Sequence, residues 1–239
     1  MIDEKKKIFS GSALKLIAVI TMLIDHVAHF LFAQMPFMME TRFHALGYDI
    51  SFYLICRLIG RIAFPIYCFL ITEGFQHTHD RRKYALNLFI FALISEIPWN
   101  LAHGGTLFYK SQNVFFTLFL GLMCLIVYES YQDDRKKQLS YLLVLSLIAL
   151  LLKADYGFKG MGLVFLLNLL RDKPIPRAII GSSMLSNPAA AIVAFIPISY
   201  YNHERGFIQG KTAKYLFYAF YPVHMLILYL IKLSVWGYK

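Results

Sequence analysis

Long apolar runs separated by short polar turns dominate the chain. About 20 residues of helix are needed to span a hydrocarbon core roughly 30 Å thick, and windows of that kind fall near 12–33, 50–74, 84–102, 113–130, 138–153, 157–171, 177–199 and 213–233. The pattern predicts an all-α fold, a polytopic transmembrane bundle of about eight helices. The windows 138–153 and 157–171 are short and separated only by Ala154 to Tyr156, so a re-entrant pair, with six or seven full spans in all, is the alternative. Asn202-His203-Glu204-Arg205-Gly206 and Arg171-Asp172-Lys173-Pro174 read as polar turns. Pro65, Pro98, Pro188, Pro197 and Pro222 lie in or at the ends of predicted helices, where a missing N–H frees backbone carbonyls. There is no fixed-period repeat, low-complexity tract or separating linker. One membrane domain over 12–233 is expected, between a leader, 1–11, and a short tail, 234–239.

Composition agrees with a bilayer as solvent: 58% of the 239 residues are hydrophobic and 16% charged, with a mean hydropathy of +0.55, against roughly 25% charged in a typical soluble domain. The formal net charge of +10 does not point to nucleic acid, because Lys and Arg sit in short clusters between apolar runs. Their distribution sets an orientation. With the N-terminus inside, the cytoplasmic set holds Lys5–Lys7, Arg81–Lys83, Arg135–Lys137, Arg171, Lys173, Arg177, Lys232 and Lys239, and outnumbers Arg42, Lys110, Lys153, Lys159, Arg205, Lys211 and Lys214 opposite. The positive-inside rule then predicts both termini in the cytoplasm. No small-residue cleavage site follows the basic leader, so the first run is expected to remain as a helix. Cys56, Cys68 and Cys124 all lie in apolar runs without CxxC spacing, and neither a disulfide framework nor a metal site is expected.

The chemistry is carried by ionisable residues inside these runs. GSALKLIAVITMLIDHVAHFLF holds Asp25, His26 and His29; an Asp at membrane depth costs roughly 2.5–3.5 kcal/mol on an insertion scale and by default marks a functional site. Arg57 and Arg61 are spaced i,i+4 in the second window and need an anion opposite. Ser95 and Glu96 in the third window and Asn113 and Thr117 in the fourth fall at a similar depth on a rise of about 1.5 Å per residue. These positions are predicted to converge on one cavity in the outer half of the membrane, open to both surfaces.

IDH in the first window, RLIGRIAFPIYCFLITEGF followed by Thr78 and Tyr84, ISEIPWN, NVFFTLFLG, DYGFKG and the closing YNHERG with KYLFYAFYPVHMLILYLI together resemble the TraX family over about 12–233. The resemblance implies a multi-pass acetyltransferase of the bacterial inner membrane, related to acyltransferases that pass an acyl group from a cytoplasmic donor to an acceptor. The donor it implies is acetyl-CoA. Acetylation of the N-terminus of conjugative pilin gives the family its name, and a peptide amine or a glycan hydroxyl is the acceptor class.

Acyl transfer needs a base for the attacking group and positive charge where the carbonyl oxygen gains charge. His26 is the candidate base, Arg57 or Arg61 the candidate electrophile, and Asp25 and Glu96 the groups that balance the arginines or orient an imidazole. His29, i,i+4 from Asp25, is the alternative base, and a structural Asp25–arginine pair is the bland alternative to catalysis. Ser95, Asn113, Thr117, Glu73 and Asp155 are candidate substrate contacts, although hydroxyls and amides also serve as interhelical hydrogen-bond links. Arg81, Arg82 and Lys83 are candidates for the phosphates of coenzyme A, against a simple inner-surface anchor. His224 is a lower-ranked candidate on the last helix. No nucleophile elbow is present, so direct transfer without an acyl-enzyme is expected. A proton-coupled transporter and a non-catalytic assembly partner are the competing classes; the missing repeat symmetry weighs against the first.

Overall fold

The computed structural model describes residues 7–45 and 47–237; Lys5 and Lys6 of the basic leader and Lys239 of the tail lie outside them. It is mostly helical: α1 (Gly11–Phe30), α2 (Pro36–Met39), a hairpin of β1 (Phe43–Ala45) and β2 (Tyr48–Ile50), α3 (Phe52–Gly60), α4 (Ala63–His77), α5 (Arg81–Gly104), α6 (Val114–Ser130), α7 (Arg135–Leu152), α8 (Gly157–Leu169), α9 (Pro174–Ser183), α10 (Pro188–Ala191), α11 (Phe195–Ser199) and α12 (Gly210–Trp236). Among the described residues four stretches are long and apolar enough to cross a membrane: Gly11–Gln34, Phe52–His77, Arg81–Gly104 and Gly210–Trp236. Their outward faces are apolar, with Leu16, Ile20 and Leu23 on α1 and Leu93, Ile94 and Ile97 on α5 all exposed. Such belts suit lipid and not water.

Several helices begin where a short polar side chain meets an orphan N–H. Ser10 caps α1 at Ala13, Ser51 caps α3 at Leu54, Asp80 caps α5 at Lys83 and Asn113 caps α6 at Phe115. The first turn of α1 is also closed from afar: Gly11 N–H donates to Glu204 O (2.8 Å), Ser12 N–H to Arg205 O (3.0 Å), and Ser12 Oγ accepts from Ile208 N–H (2.7 Å). Gly206, at φ +81°, permits this closure, since a Cβ there would fall on Ser10. The YNHERG motif is therefore the far cap of α1.

That cap sets the direction of α12. Gly210 starts beside Gly11, Lys15 reaches the Phe217 ring (6.0 Å), and His26 meets His224, so α12 runs parallel to α1. The expectation that both termini share a face is corrected here: Gly11 and Gly210 lie at one end of the bundle, Phe30 and Trp236 at the other. The 177–199 window also differs from a span. Arg171 before it and His203 after it both approach Glu73 (3.8 and 3.9 Å), so α9 to α11 leave one end and return to it. The breaks follow the prolines, with Pro188 opening α10 behind its cap Asn187. By contrast α7 and α8 run between the ends. Gln138 donates to Tyr128 O at one end, the 153–156 connector pairs through Asp155 N–H with Gln112 O at the other, and Asn168 returns to Gln76 (2.9 Å).

The second window is one helix interrupted. Pro65 cannot donate to Arg61 O, and the ladder tightens just before it, with Arg61 N–H bonding Leu58 O and Ile62 N–H bonding Ile59 O. Gly60 at this break lies against α1: a Cβ there would overlap the Asp25 side chain. The close approach brings α3 to the level of Asp25.

Candidate functional site

A cavity of about 670 Å³ opens at the Gly11 end between α1, α4, α5 and α12. Exposed Asp80, Lys83, Arg205 and Gly210 mark its mouth, and Met22, Phe115 and Tyr221 its floor. From Gly11 to Met22 the cavity is about 16 Å deep on helical rise. His26 lies one turn beyond Met22 on the same face.

His26 Nδ1 lies 2.6 Å from His224 Nε2, the two rings nearly parallel at 7°, and His224 Nδ1 lies 2.7 Å from Phe220 O. A backbone carbonyl only accepts, so His224 carries its proton on Nδ1. With both rings neutral, its Nε2 accepts from His26 Nδ1–H, and the network assigns the lone pair of His26 to Nε2. That nitrogen has no hydrogen-bond partner among the described residues. Tyr221 stands between this pair and the cavity, its ring 6.1 Å from His26 and 5.6 Å from His224. The Tyr221 hydroxyl is buried and makes no hydrogen bond of normal geometry among the described residues.

Asp25 faces away from this pair. Its Oδ2 accepts from Arg57 Nη1 at 2.7 Å, with side chains 16% and 20% exposed. So Asp25 orients neither His26 nor His29. His29 packs instead beside Phe30 and His103, its Nδ1 buried without a partner. Arg61 faces Asp155 and Tyr156, in the connector between α7 and α8. Burial pushes the Asp155 carboxyl up to about 6, partly offset by the Tyr156 N–H and by Arg61. Lys153 and Tyr156 hold positive φ (49° and 63°), a conformation costing about 1–2 kcal/mol for a residue with a Cβ. The Tyr156 ring stacks on Phe64 at 3.6 Å, and that packing holds it.

Glu96 and Asn113 meet directly: Asn113 Nδ2 donates to Glu96 Oε2 (2.6 Å) and to Ala92 O (2.8 Å) while its Oδ1 caps α6. Asn113 is thus spent on joining α5 to α6. Thr117 Oγ1 donates to Asp155 O, and Ser95 Oγ is fully buried without a partner. Asp155, Glu96 and Tyr156 all lie within electrostatic range of Tyr221. None of Asp25, His26, Arg57, Arg61, Ser95, Glu96, Asn113 and Thr117 lines the cavity at the Gly11 end; the group that lines it and also neighbours Glu96, Asp155 and the His26–His224 pair is Tyr221, a residue that sequence reasoning did not single out. The spacing FYPVH held the only hint, since Tyr221 and His224 share a face at i,i+3.

The remaining candidates sit at the Gly11 end of the bundle. Glu73 is buried within 3.6–3.9 Å of His77, Arg171 and His203. Arg81 pairs with Glu129 (2.6 Å) and covers the Phe75 ring, so it points out of the cavity. Arg82 is exposed and not part of the wall; Lys83 lines it.

Comparison with known proteins places this architecture. The family model described as TraX protein matches residues 10–232. The chain is 28% identical over 253 residues, 92% of itself and 94% of the relative, to a protein of Dichelobacter nodosus named as a probable fimbrial assembly protein FimC, serogroup H1. No solved structure matches the chain.

Proposed function

The chain belongs to the TraX family, and from that premise we propose that it is an integral acetyltransferase of the bacterial inner membrane, moving an acetyl group from acetyl-CoA to an amine of a pilin-like or fimbrial subunit. The observation that carries the reading is the free Nε2 of His26, held in one tautomer by His224 one turn beyond the floor of a cavity that opens at a basic mouth. In the proposed step the acceptor nitrogen attacks the thioester carbonyl. An N–C bond forms and the C–S bond breaks; His26 takes the proton from nitrogen and returns it to the leaving thiolate. Since Arg57 is tied to Asp25, the Tyr221 hydroxyl is the better placed donor to the developing oxyanion, with Arg61 behind it.

Purified protein in lipid nanodiscs with acetyl-labelled acetyl-CoA and a peptide bearing a free N-terminal amine tests the reading. Label on the peptide with release of free thiol is the expected result. Substrate flux in liposomes without thioester consumption would assign a carrier instead. Neither activity would favour the assembly role that the relative's name states for that protein.

For the topology we propose seven crossing passes, formed by α1, α3 with α4, α5, α6, α7, α8 and α12, with α9 to α11 re-entrant from the cytoplasmic side. This arrangement moves Arg205, Lys211 and Lys214 to the N-terminal face and Lys232 to the other, which sharpens the basic asymmetry. Single cysteines at Gln209 and Ser234, in a background without Cys56, Cys68 and Cys124, are expected to label with an impermeant reagent from opposite faces. Labelling of both from the same face refutes the parallel pair.

A further inference from the structure

The wall of the inner cavity carries four cations from three helices and one loop: Lys15 on α1, Lys83 on α5, Lys214 on α12 and Arg205 in the closing loop. They repel one another, Arg205 acting on Lys15 and both Lys83 and Arg205 acting on Lys214. Two carboxylates also reach the cavity, but both are engaged. Glu73 is ringed by His77, Arg171 and His203, and Asp80 caps α5 at Lys83 N–H. Among the described residues none of the four cations forms an ion pair.

Four cations against two carboxylates leave the wall net positive, and like charges held together cost free energy unless a further anion joins them. The backbone adds to the same field, because α1, α5 and α12 all begin at this mouth and each N-terminus carries roughly half a positive charge. Asn87, one turn above Lys83 on α5, is 9% exposed, lines the cavity, and holds a buried Nδ2 without a partner. A buried amide donor left open on a cavity wall calls for an acceptor oxygen.

We propose that this wall is the binding site for the diphosphate of a nucleotide-type ligand, with Lys15, Lys83, Arg205 and Lys214 on the phosphate oxygens and Asn87 donating to an oxygen deeper in the cavity. The inference rests on the donor entering from this mouth, and it relocates the phosphate contacts from the Arg81–Lys83 run to residues far apart in sequence. Only Lys83 belongs to both sets.

The test uses the full chain in nanodiscs of phosphatidylcholine, with ADP and inorganic pyrophosphate as probes in titration calorimetry. Both are expected to bind, and Lys15→Gln and Lys214→Gln each to weaken ADP binding at least about tenfold, as for loss of a charge-assisted phosphate contact. Lys214→Arg should recover most of the loss, which a folding defect would not allow, and exposed Lys136→Gln should bind as wild type. Wild-type affinity in both Gln variants, or no binding of either probe at millimolar concentration, overturns the site. A second arm uses nanodiscs rich in phosphatidylglycerol. If that lipid displaces ADP and its retention depends on the same lysines, the wall is a headgroup site and the nucleotide proposal fails. Lysine-dependent ADP binding without acetyl transfer keeps this site and removes the enzyme reading; transfer at wild-type KM in the Gln variants does the reverse.

Discussion

Replacing His26 by Gln is expected to lower acetyl transfer by a factor of about 10² or more, the low end for a general base, while ADP binding at the inner mouth stays at its wild-type value. Gln cannot take a proton at working pH, yet it can still donate an amide N–H toward His224. The fold should therefore survive. His224→Gln keeps an acceptor beside His26 Nδ1 but no longer presents an imidazole that is fixed by Phe220 O. Its expected effect is a smaller loss of rate with a displaced pH profile, because both tautomers of His26 then become accessible. The control is His29→Gln, one turn along α1 against His103, which should retain most of the activity. Loss of transfer in His29→Gln with retention in His26→Gln would move the base to His29, and full activity in both would end the histidine mechanism.

The second large effect is on stability. Arg57→Ala removes the partner of Asp25 from a pair with a 2.7 Å contact and little exposure on either side. Breaking a buried pair from one side costs about 3–5 kcal/mol, and the residual exposure here puts the expectation at the lower end. Asp25→Asn in the Arg57→Ala background should recover much of that loss, since the charge left behind is then gone. Arg57→Lys should fall between, keeping the charge and losing the planar fork. Gly60→Ala should resemble Arg57→Ala without touching either charge, because its added Cβ falls on Asp25 and drives α3 away from α1. Thermal unfolding in detergent, followed by thiol-reactive dye at buried Cys68 and Cys124, reads all four. An Arg57→Ala variant that melts with wild type would show that Asp25 finds another partner or water.

Hydrophobic runs, caps and breakers act locally, so the helices were legible. Every predicted window contains helix, and the Pro65 break and the Asn113 start sit where a missing N–H and a short polar side chain require them. Helical rise alone puts Asp25, Arg57, Glu96 and Asn113 near one level, and the direct Asp25–Arg57 and Glu96–Asn113 contacts join them in pairs. What sequence could not supply was direction and partner. Reading 177–199 as a full span turns α12 antiparallel to α1 and puts Arg205, Lys211 and Lys214 opposite the first turn of α1; the backbone bonds from α1 to the YNHERG loop, between residues about 200 apart, bring the start of α12 back beside it. For Asp25 the sequence leaves two roles open, balancing an arginine or orienting an imidazole. On a helix adjacent positions point about 100° apart, so Asp25 turned to Arg57 and His26 to His224. The amino-acid sequence thus determined which groups fall inside apolar helices and how far along them, because those follow from local periodicity. The tertiary structure alone decided which of them touch, because rotation about each helix axis is set by packing between distant segments.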